Sequence, residues 1–214
     1  MKLLDMLQGI KNIIFDLGGV IYAIDYLATI RAFKDLGIKN FEQIYAKAGQ
    51  SDLFDDLETG KISKVEFFEG INKFLPNPLS PTQITDAWNA MLIGLPKEKL
   101  ELLSCLSQKY RLFLLSNANE LHIQCVNASL QKQHGIKNIN GFFEKAYYSQ
   151  EIGMRKPHKA TFDWVLQDAG IQAEETLFIE DTAQHIAGAK LTGLKTHHLE
   201  SNSALNALFP DTAL

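Results

Sequence analysis

Cysteine is almost absent from this chain: Cys105 and Cys125 are the only two in 214 residues, and their separation gives no CxxC pair. Both lie in helical-looking stretches and read as buried free thiols, which argues against a disulfide framework or a cysteine zinc site. Positive charge is not in excess either. The 21 Lys and Arg against 25 Asp and Glu leave a formal charge of -4, and no basic run could track a polynucleotide backbone. No stretch approaches the ~20 uninterrupted apolar residues of a membrane helix. The apolar opening MKLLDMLQGIKN is broken at Asp5 before a signal-peptide core can form. The expectation is a soluble, cytoplasmic protein with no nucleic-acid or membrane partner. Internal repeats and low-complexity tracts are missing too. The 46% hydrophobic and 21% charged residues are ordinary globular values, which exclude disorder and collagen-like or coiled-coil chains.

What the chain does contain is a core's worth of residues with room for a sizeable insertion. Asn12 to Asp16 (NIIFD) reads as a buried strand. Residues 22 to about 94 look all-helical. YLATIRAFKDLGI spaces Leu27, Ile30 and Phe33 helically before Gly37. Ser51 and Ser63 read as helix caps on either side of Gly60, and TQITDAWNAMLIGL resumes the helix after a proline-rich turn at 76 to 81. After Pro96 helix and strand alternate: strands at RLFLLSN, KAYYSQ, TLFIED and LKTHHL are separated by helices. Such alternation implies parallel pairing with right-handed crossovers. The predicted fold class is therefore α/β, a Rossmann-like doubly wound parallel sheet formed by residues 1–21 and 95–214, with residues 22–94 inserted as an all-helical cap domain.

In an open parallel sheet the ligand site lies beyond the carboxyl ends of the strands. Reading those ends together brings Asp16, Ser116 with Asn117, Arg155 with Lys156, and Glu180 with Asp181 to one place. Each has an ordinary explanation alone. An Asp before glycines marks a turn, Ser-Asn caps a helix, Lys-Pro opens one, and Glu-Asp favours a helix N-terminus. As an ordered set they suit phosphoryl transfer. A carboxylate attacks phosphorus to form an aspartyl-phosphate that water later hydrolyses. Mg2+ would be held by Asp16 and Asp181, Lys156 would neutralise charge, and Ser116 with nearby backbone N–H groups would bind phosphate oxygens. Gly18 and Gly19 permit close backbone approach.

The stretches FDLGGV, LLSNAN, GMRKP and FIEDTAQHIAGA resemble, in order and spacing, the four motifs of the haloacid dehalogenase (HAD) superfamily of hydrolases. The resemblance spans about Asn12 to Leu199, and the insertion after the first motif resembles a subclass I helical cap. FDLGGVIYAID, FDDLETGKIS, LSNANELH, SQEIGMRKP and HIAGAKLTGL are most similar to the branch that includes bacterial alpha-D-glucose-1-phosphate phosphatase. The resemblance implies a Mg2+-dependent phosphatase of a small phosphorylated metabolite, a sugar phosphate by family analogy. It implies Asp16 as nucleophile, with Ser116, Lys156 and Asp181 also catalytic. Gly18, Gly19, Ser116, Asn117 and Lys156 would bind phosphate. Asp16, Asp181, Glu180 and the Gly18 carbonyl would surround the metal.

The chain departs from the family pattern at Gly18, where most of these phosphatases carry a second Asp that protonates the leaving oxygen. Asp25, Glu180 and His185 are the candidates for a substitute acid, and Asp25 is equally explained as the cap of a helix beginning at Tyr26. Two other functions fit a chain without that acid: a true haloacid dehalogenase, or a phosphate-binding regulatory protein with impaired turnover. The cap's acidic stretch, Asp52, Asp55, Asp56 and Glu58, reads as a solvated helix face.

Overall fold

The computed structural model describes residues 7–49 and 52–210. The expected caps at Ser51 and the opening residues before Leu7 lie outside that range. Five strands form one parallel sheet: β1 (Asn12–Phe15), β4 (Arg111–Ser116), β5 (Lys145–Tyr148), β6 (Thr176–Glu180) and β7 (Lys195–His198), in the order β5-β4-β1-β6-β7. β1 is central and buried throughout, as its uninterrupted apolar run requires when both sheet faces are covered. Chain connection runs from β1 outward through β4 to β5 and then returns to the far side for β6 and β7. The strand order thus reverses beside β1, the position at which open α/β sheets place their ligands.

Two apolar clusters cover the two faces of this sheet. Ile13, Phe15, Leu112, Leu114, Leu177 and Ile179 face one, and Ile14, Phe113, Leu115, Phe178, Phe162 and Val165 the other, which is the period of 2 expected along each strand. A third cluster is built almost wholly from the insertion, with Phe33, Phe41, Phe54, Phe67, Ile71, Ile84 and Trp88. It also takes in Leu121 from the helix Glu120–His134. Its helices are α1 (Tyr26–Asp35), α2 (Phe41–Gly49), α3 (Leu53–Glu58), α4 (Lys64–Asn72) and α5 (Pro81–Asn89). Asp25 caps α1 through Leu27 N–H, and Ser63 and Ser80 each close a capping box, with Glu66 and Gln83.

The insertion is not all-helical. Ala23–Ile24 (β2) and Leu92–Gly94 (β3) pair antiparallel where the chain leaves and re-enters the sheet domain. The helical reading of residues 90 to 95 fails because a short apolar run such as MLIGL satisfies either period. Pairing with β2, which only tertiary structure brings near, decides it. KAYYSQ also ends earlier than its pattern suggests: Ser149–Ile152 turn into a short helix. Pro157 does not open the next helix, which starts at Lys159 with His158 in the cap position. Cys105 and Cys125 are free and half-buried. Among the described residues no helix is long and apolar enough to cross a membrane.

One glycine locks the site's cation loop to the sheet domain. Within the helix Ala183–Lys190, a Cβ on Gly188 would lie 2.0 Å from the Pro157 carbonyl oxygen. Backbone cannot step aside as a flexible side-chain tip can. Gly188→Ala is expected to destabilise the fold by about 1–3 kcal/mol, the usual cost of overpacking, measured as a lower urea midpoint with unchanged slope.

Candidate active site

β1 ends one residue before Asp16, whose own N–H still donates to Ile179 O at 3.0 Å. That bond pins the start of the turn to β6 and presents the carboxylate at the sheet's carboxyl edge. Lys156 arrives from the loop after β5. Its Nζ donates to Asp16 Oδ1 at 2.6 Å and to Glu180 Oε2 at 2.6 Å, with the lysine side chain 1% exposed. Glu180 closes β6 fully buried; its second oxygen accepts from Thr182 N–H at 3.1 Å, and His185 Nδ1 stands 3.1 Å from Oε2. One buried cation thus holds two buried carboxylates.

The charges in this knot are unequal. Burial first, and then the Glu180 charge, pushes Asp16 up to about 7 against the opposing pull of Lys156. Burial works against the Glu180 charge as well, but Lys156 and His185 outweigh it and hold that carboxyl well below the usual range. Burial also opposes the Lys156 charge, and the two carboxylates overcome it, so its pKa is raised. Asp181, half-buried, is pushed up to about 6 by burial and then by its contact with Glu180. Asp16, Glu180 and Asp181 each offer an oxygen within 4.8 Å of the others. The hard oxygens of Asp16 and Asp181, whose pKa values are raised by burial first and by Glu180 second, fit a small divalent cation such as Mg2+, which would offset the charge gathered there.

The glycines act more narrowly than their sequence suggests. At Gly19, φ is +74° and a Cβ would fall 1.9 Å from Asp181 Oδ2, so the missing side chain is what lets Asp181 reach the cluster. The Gly19 N–H is spent on Tyr22 O at 2.9 Å. It is therefore not a free phosphate donor, which corrects the sequence expectation. Gly19→Ala should displace Asp181 and lower apparent Mg2+ affinity by roughly 10- to 100-fold, the range seen when a ligand's support is lost. A metal titration of activity reads it directly. At Gly18 a Cβ would lie 2.4 Å from Ile24 Cδ1. The side chain of a β2 residue fills the space where the family's second acid would begin.

Asn117 also differs from expectation. Its Oδ1 accepts from Lys156 N–H and its Nδ2 donates to Lys156 O, both at 2.9 Å. The side chain is committed to placing the lysine and is not free for phosphate. Ser116 stands at the buried end of β4, paired in register with Tyr148. The turn after it is tied down by Ser149, whose hydroxyl contacts both Ala118 N–H (3.0 Å) and Ala118 O (3.1 Å). His198 Nε2 is 2.8 Å from Asp181 O and steadies that loop from β7. Sequence reading missed Ser149 and His198, since their partners lie far away in the chain.

None of the substitute acids considered from sequence is available. Asp25 caps α1 and is ion-paired with Arg31, which lowers its pKa. Glu180 is held as a carboxylate by Lys156, and His185 faces Glu180.

Comparison with known proteins agrees with this geometry. A family profile described as haloacid dehalogenase-like hydrolase matches residues 10–193. The chain is 31% identical over 194 residues to D-ribitol-5-phosphate phosphatase of Bacteroides thetaiotaomicron, covering 91% of this chain and 94% of that one. A HAD family enzyme from the same organism, solved with magnesium and inorganic phosphate, superposes with a TM-score of 0.85 at 36% identity, covering 94% of this chain and 99% of that one. A HAD-like hydrolase from Porphyromonas gingivalis gives a TM-score of 0.83 at 32% identity, with 96% and 98% covered. On its sheet order, its carboxylate and lysine cluster and these matches, the chain belongs to the haloacid dehalogenase-like hydrolases.

Proposed function

We propose that this hydrolase is a Mg2+-dependent phosphatase of a small sugar or polyol phosphate, with Asp16 as the nucleophile. The observation that carries the reading is the buried Lys156, bonded to Asp16 and Glu180 at 2.6 Å each, beside the oxygen donor Asp181. A phosphate bound here would meet that cation, the Ser116 hydroxyl and the backbone N–H groups that follow Asp16. Asp16, Asp181 and the Gly18 carbonyl would hold Mg2+, which when bound offsets the charge of phosphate and carboxylate together. Glu180 serves best as the fixed counter-charge of Lys156, with Asn117 positioning the lysine backbone. Asp16 attacks phosphorus, the ester oxygen leaves, and water later cleaves the aspartyl-phosphate.

The sugar or polyol class is supported by the relative that acts on D-ribitol 5-phosphate. A magnesium- and phosphate-bound relative at 36% identity favours phosphatase over dehalogenase. Residues 22–94 work as the cap in this proposal. Arg155, ion-paired with Asp55 and 3.1 Å from Glu58 of α3, joins it to the sheet domain beside Lys156.

Phosphate release from a panel containing ribitol 5-phosphate, alpha-glucose 1-phosphate and p-nitrophenyl phosphate, with Mg2+ or EDTA, tests it. Release with Mg2+ that EDTA abolishes is the expected result. Halide release from 2-haloacids without phosphate release from any ester would overturn it.

A further inference from the structure

The chemistry proposed above leaves one proton without a source. A primary alcohol phosphate has a poor leaving group, and Gly18 cannot protonate it. The acid has to come from elsewhere, and the search narrows to the cap.

α3 carries four acids in and beside it, but only one of them is turned inward. Phe54 and Leu57 are buried in the cap cluster, and Glu58, four residues after Phe54, shares its side of the helix. The α3 terminus is pressed against the sheet domain. At Gly60, with φ +68°, a Cβ would lie 2.4 Å from Gln150 O, so the chain after Glu58 lies directly on the helix Ser149–Ile152. Glu58 Oε2 comes 3.1 Å from Arg155 Nη2, yet this buried oxygen meets no donor in hydrogen-bonding alignment among the described residues. Arg155 is shared with Asp55 and leads directly into Lys156. Tyr26 of α1 is in electrostatic range of both sides of this seam. Its phenol pKa is raised, by desolvation and then by the charges of Asp181, Asp16, Glu180 and Glu58. One cap carboxyl therefore stands at the seam where Arg155 leads into the Lys156 cluster, and its charge acts on the same phenol as the core carboxylates.

We propose that Glu58 is the general acid and base of this enzyme, supplying from the cap the proton that Gly18 cannot. This assignment rests on the phosphatase reading. In the first step an Asp16 oxygen bonds to phosphorus and the ester P–O bond breaks. The Glu58 proton passes to the departing oxygen, giving a neutral alcohol, the aspartyl-phosphate and a Glu58 carboxylate. In the second, that carboxylate takes a proton from water as the water oxygen bonds to phosphorus. The bond from phosphorus to the Asp16 oxygen breaks, and phosphate, Asp16 carboxylate and Glu58 carboxylic acid are restored.

The groups around Glu58 are compatible with this cycle. Arg155 touches it from the loop after β5, with Asp55 across the guanidinium, and Lys156, Tyr45 of α2 and Tyr26 of α1 lie within electrostatic range. Burial pushes Glu58 up to about 7, and the Lys156 charge only partly opposes it. Near neutrality the carboxyl can both give and take a proton, as an acid-base group must.

The test compares full-length wild type, Glu58→Gln and Asp55→Asn on an alkyl ester, ribitol 5-phosphate, and on an activated ester, p-nitrophenyl phosphate, at saturating Mg2+. Glu58→Gln keeps shape and hydrogen bonding but has no proton to give. Its kcat on the alkyl ester should fall by about 100- to 10,000-fold. On the aryl ester, whose leaving group needs no acid, the first-turnover burst of p-nitrophenol should stay within several-fold of wild type with KM little changed. Steady-state turnover should slow for both esters, because the same carboxylate serves the hydrolysis that follows. The decline of wild-type alkyl-ester kcat above about pH 7 should vanish in the variant. Asp55→Asn disturbs the same arginine and should affect both esters equally. A p-nitrophenol burst slowed as much as the alkyl ester's first turnover in Glu58→Gln, or a rise in KM with kcat kept, would overturn the acid role while leaving the phosphatase reading intact. Wild type inactive on both esters would overturn both.

Discussion

Asp16→Asn should reduce Mg2+-dependent phosphate release to the uncatalysed blank on every ester, activated or not. A loss on the order of 10,000-fold or more is expected when the nucleophile of a covalent mechanism is deleted, because remaining groups cannot substitute for a bond that never forms. The amide keeps the carboxylate's shape and an oxygen that can accept from Lys156, so the loss should come without unfolding. Asp16 N–H remains bonded to Ile179 O and the sheet is untouched. Rapid quench with labelled ester provides the direct readout: wild type should carry acid-stable label on Asp16 and the variant none. Residual turnover in the variant that is still sensitive to EDTA would instead point to water as the attacking group. The leaving-group contrast separates this variant from Glu58→Gln, which should still release the activated ester's alcohol in a first turnover.

Lys156→Met should cost both activity and fold. Its Nζ is the shared partner of Asp16 and Glu180, and all three side chains are buried. Taking away the cation leaves two carboxylates facing each other out of water, and breaking a buried pair in this way costs about 3–5 kcal/mol. For a chain of this size each kcal/mol lowers Tm by about 2–4 °C, so a fall of roughly 6–20 °C is expected in Mg2+-free buffer. Lys156→Arg should not restore turnover, because a planar fork does not replace a point charge in a site 1% exposed. Differential scanning calorimetry of wild type and both variants decides it. A Met variant as stable as wild type would show that the carboxylates are not paired through this lysine.

The sheet was legible because its evidence is local. Buried strands of parallel sheets are apolar runs, and IIF, LFLL and LFI could pair only in the interior. Helix caps were legible for the same reason: Asp25 and Ser63 act on N–H groups two or three residues away. The β2–β3 ribbon was not legible, since strands of two and three residues carry no period and their pairing spans 68 residues or more. Nor was the division of labour inside the motifs. Asn117 looks like a phosphate ligand until Lys156 is placed against it, and Gly19 looks like a phosphate cradle until Asp181 fills the missing side chain's space.

Glu58 shows the limit most clearly. In FDDLE it is one acid among several, and an acidic helix is ordinarily a solvated face. The spacing of Phe54 and Glu58 was the one available hint, and it matters only once Gly60 seats the helix end on Gln150. Sequence by itself determined the strand order's raw material, the family and the four strand ends that meet at the sheet's edge, because apolar periodicity and motif order are written along the chain. Tertiary structure alone decided which polar atoms are spent on one another and which remain free. Burial, pairing and the resulting charge state depend on neighbours that are close in space and distant in sequence.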